Sequence, residues 1–400
     1  MTYSGNYRLG DLFSSRREKG RAGLPTLSVT MNDGLVNRDD LDRKQETNLT
    51  PEEHLLVKPG DIAYNMMRMW QGAFGLSDRE GLVSPAYVVL EPNADIDPLY
   101  ASYLFKTQRM LYLFWAYSYG LTDDRLRLYF SDFAKIPAGI PSKKVQGQIA
   151  QVLSTWDQAI NVAIRLISYS VKQKRGLLQK LLPMLRDHQP LPRNWEVVRL
   201  DELVSLNPSR PPRPDDGMVS FLPMAAVSED GKVMKPQIRE YNQVSAGHTA
   251  FRNGDILIAK ITPCFENGKG ALLDGLVNGI GFGSTEFHVL RPKNDLSARL
   301  VAYVVNSQEF RRRGASEMEG SAGQKRVGVD FIRTFKFACP ISQQEQEHIA
   351  AVLDMADRMQ SIYQDLQKVL SGERNFIGQR LLTGKQQPSF GEIANSCAAS

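Results

Sequence analysis

The side chains of this sequence that are able to do acid–base or metal chemistry stand apart from one another. Glu266 has the chemistry of a general base, but no nucleophile or second acid near it in the sequence completes a catalytic group. A hydrogen-bond acceptor for an amino group, or a surface salt bridge, explains Glu266 equally well. The histidines lack the spacing of metal ligands: His54, His188, His248, His288 and His348.

The sequence also lacks strings that bind cofactors or transfer methyl groups. Asn207-Pro208-Ser209-Arg210 does not have the Asn/Asp-Pro-Pro-aromatic order of an amino-methyltransferase, and there is no Gly-x-x-x-x-Gly-Lys-Ser/Thr loop. The run Gly279-Ile280-Gly281-Phe282-Gly283 leads into a strand instead of linking a strand to a helix. This favours a turn or a close backbone approach over a dinucleotide site. We therefore predict no catalytic residue, no metal site and no cofactor bound by this chain.

The strongest organising feature is a duplication, because residues 201–400 repeat the landmarks of residues 1–200 in the same order. The offset between matching residues grows from 191 to 200 early in each half and then stays fixed. Two similar units in one chain predict a pseudo-two-fold molecule, which suits a target that also has two halves. The matches are Arg8/Arg199, Lys58-Pro59-Gly60-Asp61-Ile62/Arg252-Asn253-Gly254-Asp255-Ile256, Ser84/Ser284, Pro92/Pro292, Ile149-Ala150/Ile349-Ala350, Asp157/Asp357 and Leu181-Leu182/Leu381-Leu382.

Length and composition are those of a globular protein with roughly two to four domains. Of the 400 residues, 42% are apolar and 23% are charged, and no uncharged apolar run approaches the roughly 18 residues of a membrane helix. The net charge of +5 permits an anionic partner without requiring one. Three widely spaced cysteines, and an N-terminus that does not open a signal peptide, predict a cytoplasmic protein: Cys264, Cys339 and Cys397.

The first part of each half has a mixed texture. Short apolar stretches at Tyr87-Val88-Val89-Leu90 and Phe287-His288-Val289-Leu290 predict strands, and turn signals such as Pro59-Gly60-Asp61 separate them. Such a mixture of strands and a few helices predicts an α+β domain in each half. The helical runs expected there are residues 98–111 and 298–311.

The second part of each half is long, helical and amphipathic. Apolar residues recur at three- and four-residue steps from Ser142 to Leu185 and from Ser342 to Leu382. A helix of about 40 residues is roughly 60 Å long. One small domain cannot cover that length, so we expect the two helices to pair as an antiparallel coiled coil. The residues predicted to pack between them are Ile149, Leu153, Trp156, Ile160, Ile167, Leu178, Ile349, Leu353, Met359, Leu366, Leu370 and Ile377.

Several longer strings follow one another in a fixed order. Those of the first half are residues 27–30, 33–36, 58–72, 83–87 and 177–182, and those of the second half are residues 191–195, 221–227, 255–269, 284–292 and 380–385. Jointly, over essentially the whole chain, they resemble the specificity subunit of type I restriction–modification systems. One departure is the start of the first helix, Pro141-Ser142-Lys143-Lys144-Val145, which lacks the Pro-x-x-Glu-Gln character that we expect there.

The resemblance implies a non-catalytic reader of double-stranded DNA. Two similar target-recognition domains would each read one half of a split site. The two long antiparallel helices would set the number of unread base pairs and bind two methyltransferase subunits. Motor-nuclease subunits would complete a restriction enzyme, with S-adenosylmethionine, ATP and magnesium on the partner subunits. The implied domains are residues 1–141 and 187–340 (the latter including a linker), the helices are 142–186 and 341–385, and 386–400 is a flexible tail.

Reading a duplex requires lysine or arginine for phosphates and polar side chains that reach base edges. In the first domain the candidates form three segments, one of which contains aromatic residues. Core packing explains those aromatic residues, and Trp70, equally well. The candidates are Arg16 and Arg17; Asn65, Arg68 and Gln71; and Tyr119, Thr122, Arg125 and Arg127.

The second domain has comparable segments. Because its basic loop at 321–326 and the segment at 117–127 both come shortly before a long helix, we expect both to face one surface. The run Arg311-Arg312-Arg313 is explained equally by phosphate binding and by solvated charges at a helix end. The candidates are Arg210, which lies among prolines; Lys260, Thr262, Glu266, Asn267 and Lys269; and Gln324, Lys325 and Arg326.

Two other classes of function remain open from the sequence. A free-standing DNA-binding regulator or anti-restriction protein would act without a methyltransferase. A helical scaffold would bind proteins only, and would bind no duplex even with its partners present. An enzyme is the least supported class, because no catalytic group is complete.

Overall fold

The computed structural model describes residues 7–41, 49–122, 125–182, 190–293, 297–321 and 323–385. The chain divides into two compact units. Unit 1 is Met1–Ile164 together with Asp365–Ser400, and unit 2 is Arg165–Gln364. The tail predicted at 386–400 and the third cysteine, Cys397, lie outside the described residues.

The first half of the chain contains ten strands and five α-helices among its described residues. The strands are β1 (Tyr7–Arg8), β2 (Phe13–Arg16), β3 (Leu27–Val29), β4 (Leu35–Asn37), β5 (Leu55–Val57), β6 (Ile62–Asn65), β7 (Phe74–Leu76), β8 (Gly81–Val83), β9 (Tyr87–Pro92) and β10 (Pro137–Ala138). The helices are α1 (Leu9–Leu12), α2 (Pro98–Phe105), α3 (Gln108–Ala116), α4 (Phe130–Phe133) and α5 (Lys143–Leu181).

The second half has ten strands and six α-helices among its described residues. The strands are β11 (Trp195–Arg199), β12 (Val204–Leu206), β13 (Met218–Leu222), β14 (Gln237–Glu240), β15 (Thr249–Arg252), β16 (Ile256–Ala259), β17 (Gly270–Leu272), β18 (Ile280–Gly283), β19 (Phe287–Pro292) and β20 (Lys336–Pro340). The helices are α6 (Leu200–Leu203), α7 (Tyr241–Val244), α8 (Ala298–Val305), α9 (Gln308–Ser316), α10 (Val329–Thr334) and α11 (Gln343–Leu382).

Both units contain the same four-stranded antiparallel sheet. Its strand order is β2-β9-β6-β7 in unit 1 and β12-β19-β16-β17 in unit 2. The registers also agree, since Ile62 pairs with Leu90 in one sheet and Ile256 pairs with Leu290 in the other. All four of these side chains are buried. The duplication in the sequence is therefore a duplication of the fold, as predicted.

Unit 2 has a second four-stranded sheet, in the order β14-β13-β18-β15, in which β13 and β18 run parallel. The glycine-rich run lies on β18, where a Cβ atom at Gly281 would lie 2.2 Å from the ring of Phe251. The predicted close approach is confirmed at this point. Over the corresponding stretch unit 1 has two two-stranded sheets, β3-β4 and β5-β8. The offset between matching residues of the two halves grows early because the two units have different strands over this stretch.

Each helical run predicted at 98–111 and 298–311 is two helices in the structure. Thr107 begins α3 by accepting a hydrogen bond from the amide of Met110 at 3.4 Å. Ser307 begins α9 in the same way, with the amide of Phe310 at 3.3 Å. A serine or threonine hydroxyl satisfies the free amides of a new helix end, and this local capping ends the preceding helix earlier than apolar spacing alone indicates.

Aromatic residues hold α2 and α3 against the sheet of unit 1. Phe105 and Phe133 lie at the centre, with ring centroids 5.9 Å apart, and Phe114 packs edge-on to Phe105 at 5.4 Å. In unit 2 the corresponding region is built on Phe310, which lies 4.8 Å from Phe335. Each unit therefore has its own apolar core, which is what allows each to present a defined surface.

The long helices are α5, Lys143–Leu181, and α11, Gln343–Leu382, against predicted limits of 142–186 and 341–385. Residues 183–189 lie outside the described residues. In unit 1 the first part of α5 and the last part of α11 share one core, to which Ile149, Leu153 and Ile377 contribute. In unit 2 the last part of α5 and the first part of α11 share another, to which Leu178 and Ile349 contribute. Since the start of each helix packs beside the end of the other, the pairing is antiparallel, as predicted.

Both helices also start with the same glutamine contact. The Gln146 side chain accepts from the amide of Asp97 at 2.8 Å and donates to the carbonyl of Pro141 at 2.9 Å. Gln346 likewise accepts from the amide of Ser297, at 3.3 Å. Asp97 and Ser297 are the N-caps of α2 and α8. The unusual sequence at the first helix start therefore leaves this anchor intact.

The predicted packing is corrected at two positions of α11. Met359 and Leu366 are each 41% exposed. The apolar residues of α11 are spread around the helix, so that Met355 and Ile362 are exposed as well. A single narrow stripe therefore does not describe this helix, and the predicted positions are not all inward. The remaining predicted residues are buried or half-buried: Ile149, Leu153, Trp156, Ile160, Ile167, Leu178, Ile349, Leu353, Leu370 and Ile377.

Among the described residues, no helix is both long and apolar enough to cross a membrane.

Candidate nucleic-acid interface

In unit 1 the structure brings together two of the three predicted segments. The turn that follows β6 is joined to the hairpin before α4 by a hydrogen bond from the amide of Leu128 to the carbonyl of Met66, at 2.9 Å. The buried hydroxyl of Tyr64 donates to the carbonyl of Leu128 at 3.2 Å. The hairpin itself is closed by two backbone hydrogen bonds between Tyr119 and Arg127. Turn and hairpin therefore form one continuous surface.

The side chains on this surface of unit 1 are mostly free to reach a ligand. Arg68 and Gln71 are exposed on the turn, and Tyr119 is 64% exposed on the hairpin. Asn65 is half-buried, and its side-chain oxygen accepts from the amide of Met67 at 2.9 Å, so it shapes the turn. The other predicted hairpin residues are exposed: Thr122, Arg125 and Arg127.

Unit 2 joins its two segments in the same way. The amide of Val327 donates to the carbonyl of Lys260 at 2.8 Å. The ring of His288 contacts the carbonyl of Val327 at 3.0 Å, in the role that Tyr64 has in unit 1. The hydroxyl of Thr262 is 2.9 Å from the carbonyl of Lys325 and 2.8 Å from its amide. Thr262 therefore fastens the two segments together instead of projecting from them.

The loop from β16 to β17 carries exposed polar side chains on this surface. Glu266 and Asn267 are exposed, while Lys269 is half-buried. The amide nitrogen of the Asn267 side chain donates to Glu229 at 2.9 Å, which orients it while leaving its oxygen available. A side-chain amide and a carboxylate side by side have the donors and acceptors that base edges require.

Charge on the second segment of unit 2 is partly neutralised. Arg326 makes a two-point ion pair with Glu286, with contacts of 2.9 and 3.0 Å. That pairing lowers the pKa of Glu286, so the carboxylate stays ionised near neutrality. Gln324 and Lys325 are exposed and have the freedom that Arg326 lacks.

His288 is buried beneath this surface, as a packed residue. Burial lowers its pKa from the ordinary value of 6.5, and the hydrogen bond to the carbonyl of Val327 opposes that shift only in part. The carbonyl accepts, so the ring carries its proton on Nε2, and Nδ1 faces the side-chain nitrogen of Asn207 at 3.4 Å. The neutral ring thus holds the second segment in place.

Arg16 is corrected as a candidate for contacting DNA. Its guanidinium donates to Asp61 and Glu91, each at 2.7 Å, and only 9% of its side chain is exposed. The hydrogen bond with Asp61 raises the pKa of Arg16. Asp61 in turn accepts from the amide of Lys58 at 2.8 Å and so closes the turn before β6. Arg16 therefore stabilises the sheet, whereas its neighbour Arg17 is exposed.

In unit 2 the buried aspartate before the corresponding strand is neutralised by a different arginine. Asp255 is the counterpart of Asp61, is fully buried, and is paired with Arg291 at 2.7 and 2.8 Å. Arg210, which was predicted among prolines in this unit, is exposed.

Two features of the structure were not predicted from the sequence. Tyr112 and Trp115 form an exposed aromatic pair on α3, with ring centroids 5.9 Å apart. The apolar character of α3 all around its circumference is the signal that could have found them. Trp70 is half-buried against the core of unit 1, which favours the core interpretation for that residue. The second feature is Arg311, which is buried, whereas the sequence suggested a phosphate contact or a solvated charge.

Comparison with known proteins gives a family match over part of the chain. Residues 192–371 match the model of the type I restriction modification DNA specificity domain. The match covers less than half of the 400 residues, so it identifies this domain within residues 192–371. This match does not support the alternatives of a free-standing regulator or a scaffold.

Two curated relatives from Escherichia coli are specificity subunits of type I restriction enzymes. The specificity subunit of the type I restriction enzyme EcoAI is 35% identical over 234 residues, which are 57% of this chain and 40% of that protein. The EcoEI specificity subunit is 32% identical over 233 residues, covering 56% and 39%. The matched segments thus span about two fifths of the length of these relatives.

A solved structure shows the same fold at low identity. The type I restriction–modification S subunit from M. genitalium has a TM-score of 0.57 and 15% identity, and the match covers 94% of this chain and 95% of that one. Two related domains joined by long helices are therefore the fold of this chain, in agreement with the fold predicted from sequence.

Proposed function

We propose that this chain is a type I specificity subunit, which reads a bipartite site on double-stranded DNA and directs methyltransferase subunits to it. Each unit would read one half of the site, and the base pairs between the halves would go unread. The chain itself would be non-catalytic. Two methyltransferase subunits would bind along α5 and α11, motor-nuclease subunits would join where present, and the complex would work in the cytoplasm.

One observation carries this proposal. Both units join the turn after the same sheet strand to a hairpin through equivalent hydrogen bonds, Leu128 to Met66 in unit 1 and Val327 to Lys260 in unit 2. On both, exposed arginine, lysine, glutamine or asparagine side chains stand on this shared frame. Two domains that recognise two different short DNA sequences need the same rigid backbone support with different exposed side chains, and the repeated turn and hairpin provide this.

The energetics favour a reader with two parts. A good pair of hydrogen bonds to a base is worth about 1–3 kcal/mol of discrimination. A single domain with a few such contacts cannot select one site in a genome, but the discriminations of two joined domains add. Exposed basic residues such as Arg17, Arg68 and Lys325 would supply the phosphate contacts that fix register and make binding sensitive to salt.

The partners would supply the chemistry. S-adenosylmethionine would be bound by the methyltransferase subunits, and ATP and magnesium by the motor-nuclease subunits. This chain would contribute orientation only, by placing each methyltransferase over its target base.

A reconstitution separates these roles. The full-length chain, a type I methyltransferase subunit and labelled S-adenosylmethionine are mixed with a library of random duplexes. We expect methyl transfer only when both proteins are present, and only on duplexes that share a bipartite sequence. Methyl transfer by the chain alone would contradict the non-catalytic role, and transfer without a shared sequence would contradict the reading role.

A further inference from the structure

Arg311 is a buried cation on α9, in unit 2. It is 5% exposed. Among the described residues it has no carboxylate partner, and desolvation lowers its pKa to about 10. Burying an isolated charge is costly. We therefore expect the buried guanidinium to donate hydrogen bonds to polar groups that would otherwise lack a partner.

The groups that Arg311 satisfies belong to the exposed loop between β16 and β17. Its Nη1 donates to the carbonyl of Phe265 at 3.2 Å, and its Nη2 lies 3.4 Å from the carbonyl of Gly268. A shorter bond of 2.7 Å runs from Nη2 to the side-chain oxygen of Asn306, which anchors the guanidinium to the end of α8. The planar fork therefore spans the base of the loop at two points.

Stacking adds a second restraint. The guanidinium lies 4.8 Å from the ring centroid of Phe265, and that ring is itself fully buried. A Cβ atom at Gly314, one turn further along α9, would lie 2.3 Å from the Phe265 ring. Helix α9 therefore contacts the loop through the Phe265 ring as well as through the two loop carbonyls.

The residues held in this way adjoin the exposed polar pair. Glu266 and Asn267 lie between Phe265 and Gly268, the two residues whose carbonyls Arg311 contacts. Unit 1 has Leu111 at the matching position, half-buried beside Gly72 in a shorter turn, so the arginine is specific to the unit 2 loop.

We propose that Arg311 is a positioning residue that fixes the loop around Glu266 and Asn267, and so sets how sharply unit 2 discriminates its half of the DNA site. This inference rests on the proposed function. Arg311 would touch neither base nor phosphate. Its effect would be on sequence discrimination, because a loosened loop accepts several base edges where a rigid one accepts few.

Two substitutions test the proposal, in the full-length chain in complex with methyltransferase subunits. Arg311→Met keeps length and apolar bulk but removes every donor, and Arg311→Lys keeps the charge but loses the planar fork. The probe is a duplex library randomised over the bipartite site selected by the unsubstituted complex. Arg312→Met is the matched control, because Arg312 is the exposed neighbour and is paired with Glu309 on the same helix.

We expect both Arg311 variants to lose about tenfold in preference at one half-site, with preference at the other half-site and binding to unrelated duplex unchanged. Arg312→Met should keep both preferences. Equal loss at both half-sites, or uniform weakening on all duplexes, would overturn the positioning role. If Arg311→Met does not fold, Arg311→Lys decides the question, with amide hydrogen exchange at residues 265–269 expected to rise. An unsubstituted complex that shows no sequence preference would refute the proposed function instead.

Discussion

Arg374 of α11 donates from Nε to the Oδ1 atom of Asp157 on α5, over 2.9 Å. The other carboxylate oxygen of Asp157 accepts from the hydroxyl of Tyr103 at 2.7 Å, and Arg374 lies over the Tyr103 ring at 5.4 Å. These three residues clamp both long helices to the domain of unit 1. The clamp recurs in unit 2 as Tyr303 and Asp357, which lie 200 residues after Tyr103 and Asp157, with Lys174, which lies 200 residues before Arg374.

The unit 2 clamp has the same contacts with a lysine in place of the arginine. The hydroxyl of Tyr303 is 2.7 Å from Asp357, Lys174 makes an ion pair with Asp357, and its ammonium lies 5.6 Å from the Tyr303 ring centroid. In both units burial, followed by the hydrogen bond to the carboxylate, raises the pKa of the tyrosine. The hydroxyl therefore remains a donor at all ordinary pH values.

Removing the centre of the clamp should destabilise unit 1. We expect Asp157→Ala to lower the free energy of unfolding by about 1–2 kcal/mol, since the Tyr103 hydroxyl and the Arg374 guanidinium both lose their acceptor. Asp365→Ala is the matched control on α11, because its ion pair with Lys368 is exposed, and its effect should stay within about 0.5 kcal/mol. Thermal unfolding of the full chain measures both, and equal effects would contradict the clamp.

Arg16 and Arg17 are adjacent but should behave oppositely. Arg16→Ala leaves the buried carboxylate of Asp61 without its ion partner, so we expect a loss of about 2–4 kcal/mol in stability. Arg17→Ala should leave stability within about 0.5 kcal/mol. It should instead reduce the slope of log affinity against log salt by about 1, as the loss of one phosphate contact does. A change in that slope for a folded Arg16→Ala variant would contradict its structural role.

His288 should make unit 2 sensitive to mild acid. Its pKa is lowered by burial, so the unfolded chain takes up a proton near pH 6.5 while the folded chain does not. The stability that depends on the neutral ring is therefore complete above about pH 6.5 and is lost as the pH falls below it, by at most about 1.4 kcal/mol per pH unit. His288→Gln should be less stable but flatter between pH 7.5 and 5.5. Identical pH slopes in denaturant melts would refute this assignment.

Substitutions on the two exposed turns should relax different halves of the site. We expect Gln71→Ala to weaken discrimination at one half-site and Asn267→Ala at the other, each by about 1–3 kcal/mol. Lys325→Ala is the control for a phosphate contact and should weaken all duplexes alike. Competition binding with duplexes altered in one half at a time gives the three patterns. If Gln71→Ala and Asn267→Ala relaxed the same half, the assignment of one half-site to each unit would be wrong.

Features that depend on short-range periodicity were accessible from the sequence. Two long helices were predicted from the heptad-like spacing of α5 and α11. Two similar domains were predicted from the fixed offset and from the Gly-Asp turns before β6 and β16. The structure confirms both predictions. The sequence did not predict that the turn and the hairpin are hydrogen-bonded to each other within each unit.

Features that depend on distant partners were not accessible. Arg16 is neutralised by Asp61 and Glu91, which lie 45 and 75 residues away along the chain. Nothing in the run at 311–313 indicates which arginine turns inward, because that depends on the loop that packs against α9. The exposure of Met359 and Leu366 likewise follows from where α11 meets each domain, which helical periodicity does not specify.

Mapping of methylated bases across the genome, in cells with and without this chain, tests the central claim most directly. The account predicts one bipartite motif whose methylation disappears when the chain is deleted. In cells that carry Asn267→Ala, only one half of the motif should become degenerate while the other half and the spacing persist. Methylation that is unchanged by the deletion, or a single uninterrupted motif, would contradict a reader built from two joined domains.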